Sequence, residues 1–374
     1  MTPRAILAIG FVCALGLSFN LYMAANNGTG WGVDFNQFYS ASKLAGTGRL
    51  YDWDALRQIE AERGQAVPTG RLPVVAFGVK LVGWMPYRAA QVVWLVASVV
   101  ALILFALAWP GANRLLMAAA LAWSMPVALL LVYGQDTPFW LLWVALGLLL
   151  LERGRPRLAG VVFALCICKY HLSYGLPVFL LAQKRWSALA SACAAGAVLV
   201  AACFALEGWT WPAQYVAQAQ FPMFSPAAFR MPNLHGVAWW FPWPVAVEIG
   251  LSAGVAALLW MVCRRASNLG VAGAAAAAGG LLLAGHCYAN DCALLAPLLV
   301  FTIQRGSVPR WLKFWALLLL TPAPTLLLTT SKPFAGQILV VCFVVTALVT
   351  ELVVKTSAVH GPRQAAPPAA PLET

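Results

Sequence analysis

The sequence predicts an all-α polytopic membrane protein of about twelve transmembrane helices. Three observations predict it. Hydrophobic residues make up 62% of the 374 and charged residues only 10%, with a mean hydropathy of +0.79; a soluble domain carries roughly 25% charge. The apolar runs are rich in Ala and Leu and reach helix length, without the alternation of an outer-membrane strand. A helix needs about 20 such residues to cross a ~30 Å hydrocarbon core, and it satisfies its own backbone there. Finally, the basic residues fall in short clusters between the runs. The net charge of +12 is therefore a topological signal, not the footprint of a nucleic-acid binder.

The clusters are Arg4, Arg114, Arg153-Arg155-Arg157, Lys184-Arg185, Arg264-Arg265, Arg305-Arg310-Lys313 and Lys355-Arg363. With each on the cytoplasmic side, two spans fit between neighbours and both termini lie inside. Residues 5–25 run outward. Asn20 interrupts the end of this run and no A-x-A site follows, so a retained span is favoured over a signal peptide. Residues 26–88 form a first extracytoplasmic loop. In it Asp34 heads a helix with Phe35, Phe38, Tyr39 and Ala41-Ser42 on one face, ended by Gly46 and Gly48. Residues 52–63 form a short amphipathic helix, and 72–84 are apolar but too short to span comfortably. These read as interfacial helices lying on the membrane. Residues 89–109 return. The hairpins that follow are 115–133 with 137–151, 158–170 with 172–183, 187–206 with 245–263, 269–286 with 290–304, and 312–329 with 335–354.

Residues 1–355 thus form a single domain, with a second long outer loop at 207–244 and a disordered cytoplasmic tail at 356–374. Trp209, Trp211 and Trp243 in the second loop favour an interfacial aromatic belt, although aromatic platforms also suit sugar faces. The cysteines mostly lie in apolar runs as small hydrophobes. Cys287 and Cys292 flank a polar patch, and a disulfide between them is left open.

Several spans are short, notably 137–151 and the pair broken at Lys169-Tyr170-His171. Polar turns at membrane depth are tolerated only around a cavity or inside protein, so the layout predicts an extracytoplasmic basin. Its outward turns carry Asp34, Gln135-Asp136, Lys169 with His171, Arg230, Asn233 with His235, His286 and Asp291; only His360 among the histidines lies elsewhere. Ionisable groups at the membrane edge are costly and are functional candidates by default.

DFNQFYSASKLAGTGRLYD resembles the first-loop signature of the polyprenyl-phosphate-sugar-dependent glycosyltransferases of family 87, the DUF2029 group, which have the GT-C membrane fold. GQDTPFWLLWVALGLLLLERGRPRLAGVVFALCICKYH resembles the family's Gly-Gln turn, short helix, basic loop and lysine. MPNLHG is similar to its Asn-containing outer motif, and HCYANDCALLAP to its late polar patch. The resemblance covers roughly residues 30–305. Two departures stand out: Arg71-Leu72-Pro73 occupies a place where tyrosine and prolines are common, and Tyr170-His171 follows Lys169 where a proline often stands. Both imply that the sugar and acceptor pockets differ from those of the best-known mannosyltransferases.

The resemblance implies inverting transfer of a hexose, mannose at family level, from a polyprenyl-phosphate donor to a lipid- or glycan-linked acceptor hydroxyl on the outer face of an inner (plasma) membrane. Asp34 maps onto the family's first-loop aspartate and is expected to be the general base, a role that desolvation suits. Helix N-capping is the structural alternative for this residue. The leaving phosphate needs cationic partners; Lys169 comes first, then His286 and Arg230. Interfacial snorkelling is the structural alternative for Lys169. Gln135, Asp136, His171, Asn233, His235 and Asp291 remain as acceptor-facing or supporting groups, with Asp136 placed to pair with Lys169 and Asp291 with His286. Some GT-C enzymes use a metal held by paired acids. Asp52 and Asp54 read as surface positions, so no metal or other cofactor is expected. A transporter or flippase is the rival reading; against it, the halves share no repeat and no charged relay reaches the cytoplasmic side.

Overall fold

A computed structural model describes residues 3–27, 31–63, 67–220, 227–266, 268–330 and 332–359. The described residues form helices without strands. In chain order they are α1 (Pro3–Asn27), α2 (Val33–Leu44), α3 (Trp53–Glu60), α4 (Pro73–Gly83), α5 (Tyr87–Ala108), α6 (Arg114–Trp123) and α7 (Met125–Tyr133). There follow α8 (Thr137–Glu152), α9 (Pro156–Ala164), α10 (Gly175–Ala182), α11 (Trp186–Glu207), α12 (Trp211–Ala219) and α13 (Leu234–Ala238). The last are α14 (Pro244–Arg265), α15 (Leu269–Leu283), α16 (Ala296–Gln304), α17 (Arg310–Leu319), α18 (Pro322–Thr329) and α19 (Pro333–Val359). Short 3-10 segments at Leu165–Leu172 and Ala289–Leu295 lead into α10 and α16. The expected tail lies largely outside the described residues, as do residues 221–226 of the expected second outer loop.

Helices α5, α11, α14 and α19 are each long and apolar enough to cross a membrane; the number is six if the bent pairs α6–α7 and α17–α18 each count as one span. The chain is a polytopic α-helical membrane protein. Those bent pairs correct the expectation of unbroken helices at 115–133 and 312–329, since the axes turn by 66° and 59°. Ser124 has ψ 112 and its hydroxyl accepts from the Val127 amide at 3.4 Å. Pro126 cannot donate in the following turn, so the helix restarts there. Thr321 caps α18 in the same way ahead of Pro322 and Pro324. The expected 158–170 helix also ends early: α9 stops at Ala164, and the 3-10 segment after it is interrupted at Lys169, with φ −130° and ψ 58°.

The bundle closes around α15, whose residues from Gly270 to Leu282 are all buried. Small residues make this possible. At Gly175 in α10 a side chain would collide with the Ala276 carbonyl, and at Gly280 with the Leu172 carbonyl, so backbones meet where membrane helices gain most from close packing. Asn20, at the end of the first apolar run, is buried; its side-chain nitrogen donates to Gly16 O at 2.9 Å and Trp123 O at 3.0 Å, tying α1 to α6, while its side-chain oxygen has no partner among the described residues. Cys287 and Cys292 are free thiols, which closes the disulfide question. Trp209 and Trp243 are exposed as a belt requires, but Trp211 is buried against Phe204 and Tyr215.

Candidate active site

Three turns between consecutive helices, α7–α8, α9–α10 and α15–α16, converge with the first loop. The α7–α8 turn begins at Gly134, where φ is +72° and the Phe35 Cβ lies 2.6 Å from where a side chain would start. Only glycine meets both conditions. The Gly32 amide donates to Val132 O at 2.7 Å, and the Trp94 indole to Gly134 O at 2.9 Å. Together these contacts clamp the start of α2 onto the end of α7. Gln135 is thereby set beside Asp34, and its amide donates to Asp34 Oδ2 at 2.6 Å.

Asp34 does not cap its helix. The cap position belongs to Gly32, in the left-handed region, and Asp34 lies in the first turn with Gln135 as its hydrogen-bond partner. Desolvation by the surrounding protein raises its pKa to about 6, against the lowering pull of Gln135 and of Lys169.

The other two acids are held by cations. Asp136 receives Arg71 Nε at 2.8 Å and Nη2 at 3.0 Å, a bidentate pair, with Lys169 Nζ at 3.6 Å. Lys169 sits on the kink of its 3-10 segment, is 2% exposed and donates to Asp291 Oδ1 at 2.7 Å. It is buried in a salt bridge, not snorkelling. Asp291 is fixed further by the Tyr288 amide on Oδ2 at 2.9 Å and the Thr137 hydroxyl on Oδ1 at 3.3 Å. Its partner is therefore Lys169, not the expected His286. The His286 ring packs against His171 at 5.6 Å and Tyr288 at 4.8 Å between centroids.

These groups surround an inner cavity of about 150 Å³ whose walls include Asp34, Gln135, Arg71, Lys169, His286 and Asp291. An outer cavity of about 280 Å³ adjoins it, sharing Gly70, Arg71, His171 and His286 and adding Thr69, Tyr170, Tyr215 and Ala219. The Tyr170 and Tyr215 hydroxyls lie 2.8 Å apart at its exposed rim.

Arg71 is the site residue that sequence reasoning missed. Its departure from the family pattern was the available signal. The segment that carries it is pinned to α2 and α3: the Gln37 amide donates to Pro68 O, the Val67 amide to Glu60 Oε2 at 2.6 Å, and the Tyr51 hydroxyl to Arg71 O at 2.9 Å.

Four expected site residues lie outside both linings: Asp136, which pairs with the cavity residue Arg71, and three that lie away from the network. Arg230 is exposed, its guanidinium over Phe229. Asn233 is buried as a structural cap, accepting from the Gly236 amide at 2.9 Å and donating to Ala284 O. His235 pairs with Glu248 at 2.8 Å. Among the described residues no three His, Cys, Asp or Glu side chains are grouped as metal ligands would be.

The profile of glycosyltransferase family 87 matches residues 73–287. The chain belongs to glycosyltransferase family 87. The family 87 match takes in Gln135, Asp136, Lys169, His171 and His286, while Asp34, Arg71 and Asp291 lie beyond its ends. No match was found among curated proteins or among solved structures. This is a membrane glycosyltransferase by family.

Proposed function

We propose that the chain transfers a hexose, mannose by family expectation, from a polyprenyl-phosphate sugar to a lipid- or glycan-linked hydroxyl, with inversion and with Asp34 as general base. One observation carries this reading. Of the three acids in the charged network, of which Asp34 and Asp291 line the inner cavity, Asp34 alone has no cation within salt-bridge reach among the described residues, and its pKa is raised to about 6. A carboxylate held by Arg or Lys is a poor proton acceptor, whereas one desolvated beside a neutral amide is poised for the task. The acceptor oxygen bonds to the anomeric carbon as the bond from that carbon to the phosphate oxygen breaks. The electron pair leaves with the phosphate and the acceptor proton passes to Asp34. Arg71, Lys169 and His286 line the same cavity, and such cationic and hydrogen-bonding groups favour the departing anion. No metal is invoked, because Asp136 and Asp291 are already taken up by Arg71 and Lys169.

The reading includes a GT-C-type bundle of about twelve spans with both termini cytoplasmic, in the cell's inner membrane. Helices α2, α3 and α4 are the interfacial elements of the first loop. The alternation of basic clusters supports it, as does the placement of the site in the turns expected to face outward.

The test is sugar transfer in membranes that hold equal amounts of wild type or Asp34→Asn, supplied with labelled polyprenyl-phosphate mannose and native lipid extract. The expected loss is about 10²- to 10⁴-fold. Full activity in Asp34→Asn would remove Asp34 as base and turn the search to Asp136 or Asp291.

A further inference from the structure

Arg71 stands where the inner and outer cavities meet and lines both. Asp136 takes one edge of its guanidinium, through Nε and Nη2. The Phe38 ring covers its face, 5.2 Å from the guanidinium carbon. No described residue takes up Nη1. The group is thus held on one edge and one face, with the other edge left for a planar pair of acceptor oxygens. Two residues earlier, Thr69 is 1% exposed, lines the outer cavity, and has a buried hydroxyl with no partner. An orphaned buried hydroxyl is destabilising, and an acceptor on a ligand would offset that cost. Lys169 is differently placed. Its ammonium already faces Asp291 at 2.7 Å and Asp136 at 3.6 Å, so its charge is balanced before any ligand arrives.

We propose that the outer cavity is a phosphate seat, in which the open edge of Arg71 and the Thr69 hydroxyl bind the oxygens of a phosphate ester. Asp136 acts as a positioning residue that aims the guanidinium, and Lys169 holds the two acids in place. Identifying the ester as the sugar donor's phosphate rests on the function proposed above; the anion chemistry of the seat does not. That chemistry is shared by an isoprenyl phosphate and by inorganic phosphate, and the test separates them.

The purified full-length chain in detergent is titrated, by its tryptophan fluorescence, with a fifteen-carbon isoprenyl monophosphate, with the matching isoprenyl alcohol, and with inorganic phosphate. The monophosphate is expected to bind about 10- to 100-fold more tightly than the alcohol, the range for charge-assisted hydrogen bonds. Arg71→Met abolishes that preference without weakening binding of the alcohol, and Arg71→Lys restores part of it. The double variant Arg71→Met/Asp136→Asn removes the stranded acid along with its cation. It is expected to fold as the wild type does and still to lack the preference. Inorganic phosphate that competes in an Arg71-dependent way identifies the seat as a site for free phosphate too; Arg71-dependent binding of the isoprenyl ester alone assigns it to the lipid. Wild-type preference in the double variant would overturn the proposal. Sugar transfer that requires Asp34 but is indifferent to Arg71 would sink the seat and keep the transferase. An Arg71-dependent preference with no sugar transfer would do the reverse.

Discussion

Asp34, Asp136 and Asp291 belong to one residue type and part company through their neighbours. Asp34 has a neutral amide beside it and the other two have cations, so on the proposed function the first serves as proton acceptor and the others as structural anions. Because the base must be ionised, transfer should rise with pH through about 6 and level off above it; a rate that falls over that interval would exclude Asp34. The same shift bears on stability. An acid whose folded pKa is raised binds its proton better folded than unfolded, so stability is lost as pH climbs from about 3.8 to about 6. Asp34→Asn should therefore melt a few degrees higher than the wild type at pH 7.5, and the gain should vanish toward pH 4. Lys169→Met strands Asp291 and should cost about 3–5 kcal/mol in thermal or denaturant unfolding, much of it recovered in Lys169→Met/Asp291→Asn. Most of the residues that the structure brings together were legible as polar groups in the turns between apolar runs. Their pairings were not, because hydrogen-bond geometry depends on where α9 breaks, and nothing in ALCICKYH marks φ −130° at Lys169. Asn233 and Arg230 misled for a related reason: a polar residue in an apolar chain is conspicuous whether it caps a helix, faces outward or binds a ligand.

Most helix positions were read well at this scale: the runs at 89–109, 137–151, 187–206 and 245–263 became helices with ends within two residues of those expected, whereas 115–133 and 312–329 each broke in two and 158–170 stopped at Ala164. The breaks at Ser124 and Thr321 were passed over. Hydropathy is blind to them, and the prolines just beyond were the unused signal. Hydropathy is equally blind to packing partners. Gly175 and Gly196 look alike in sequence, but the first faces the Ala276 carbonyl and the second has nothing within 4 Å. Gly175→Val should lower the unfolding temperature by the equivalent of about 1–3 kcal/mol. It should also depress transfer, because α10 follows directly on Lys169 and His171. Gly196→Val, on α11, should do neither. Equal melting of the two variants would contradict the close approach of α10 to α15.

For the whole molecule, the alternation of basic clusters with polar turns predicts sidedness. In intact cells a membrane-impermeant maleimide should label Trp209→Cys above the parent chain, since residue 209 is 85% exposed in the loop that this layout turns outward. Arg153→Cys should react only after permeabilisation, and labelling of Arg153→Cys in intact cells would invert the layout. The charged network adds a constraint of another kind, on the order of manufacture. Arg71 and Asp136 are 65 residues apart, and Lys169 and Asp291 are 122 apart. As the nascent polypeptide leaves the ribosome, Lys169 is inserted long before its counter-ion has been translated. Until then its ammonium has only Asp136, at 3.6 Å and already shared with Arg71, and an ammonium so poorly paired in a membrane segment invites retention by the insertion machinery or removal by membrane proteases. A chain stopped just short of Asp291 should therefore be cleared much faster than one stopped after α16, and Lys169→Met should slow the clearance of the shorter one. On that expectation, the residue that completes the charged network also marks the moment in biogenesis from which the chain escapes clearance.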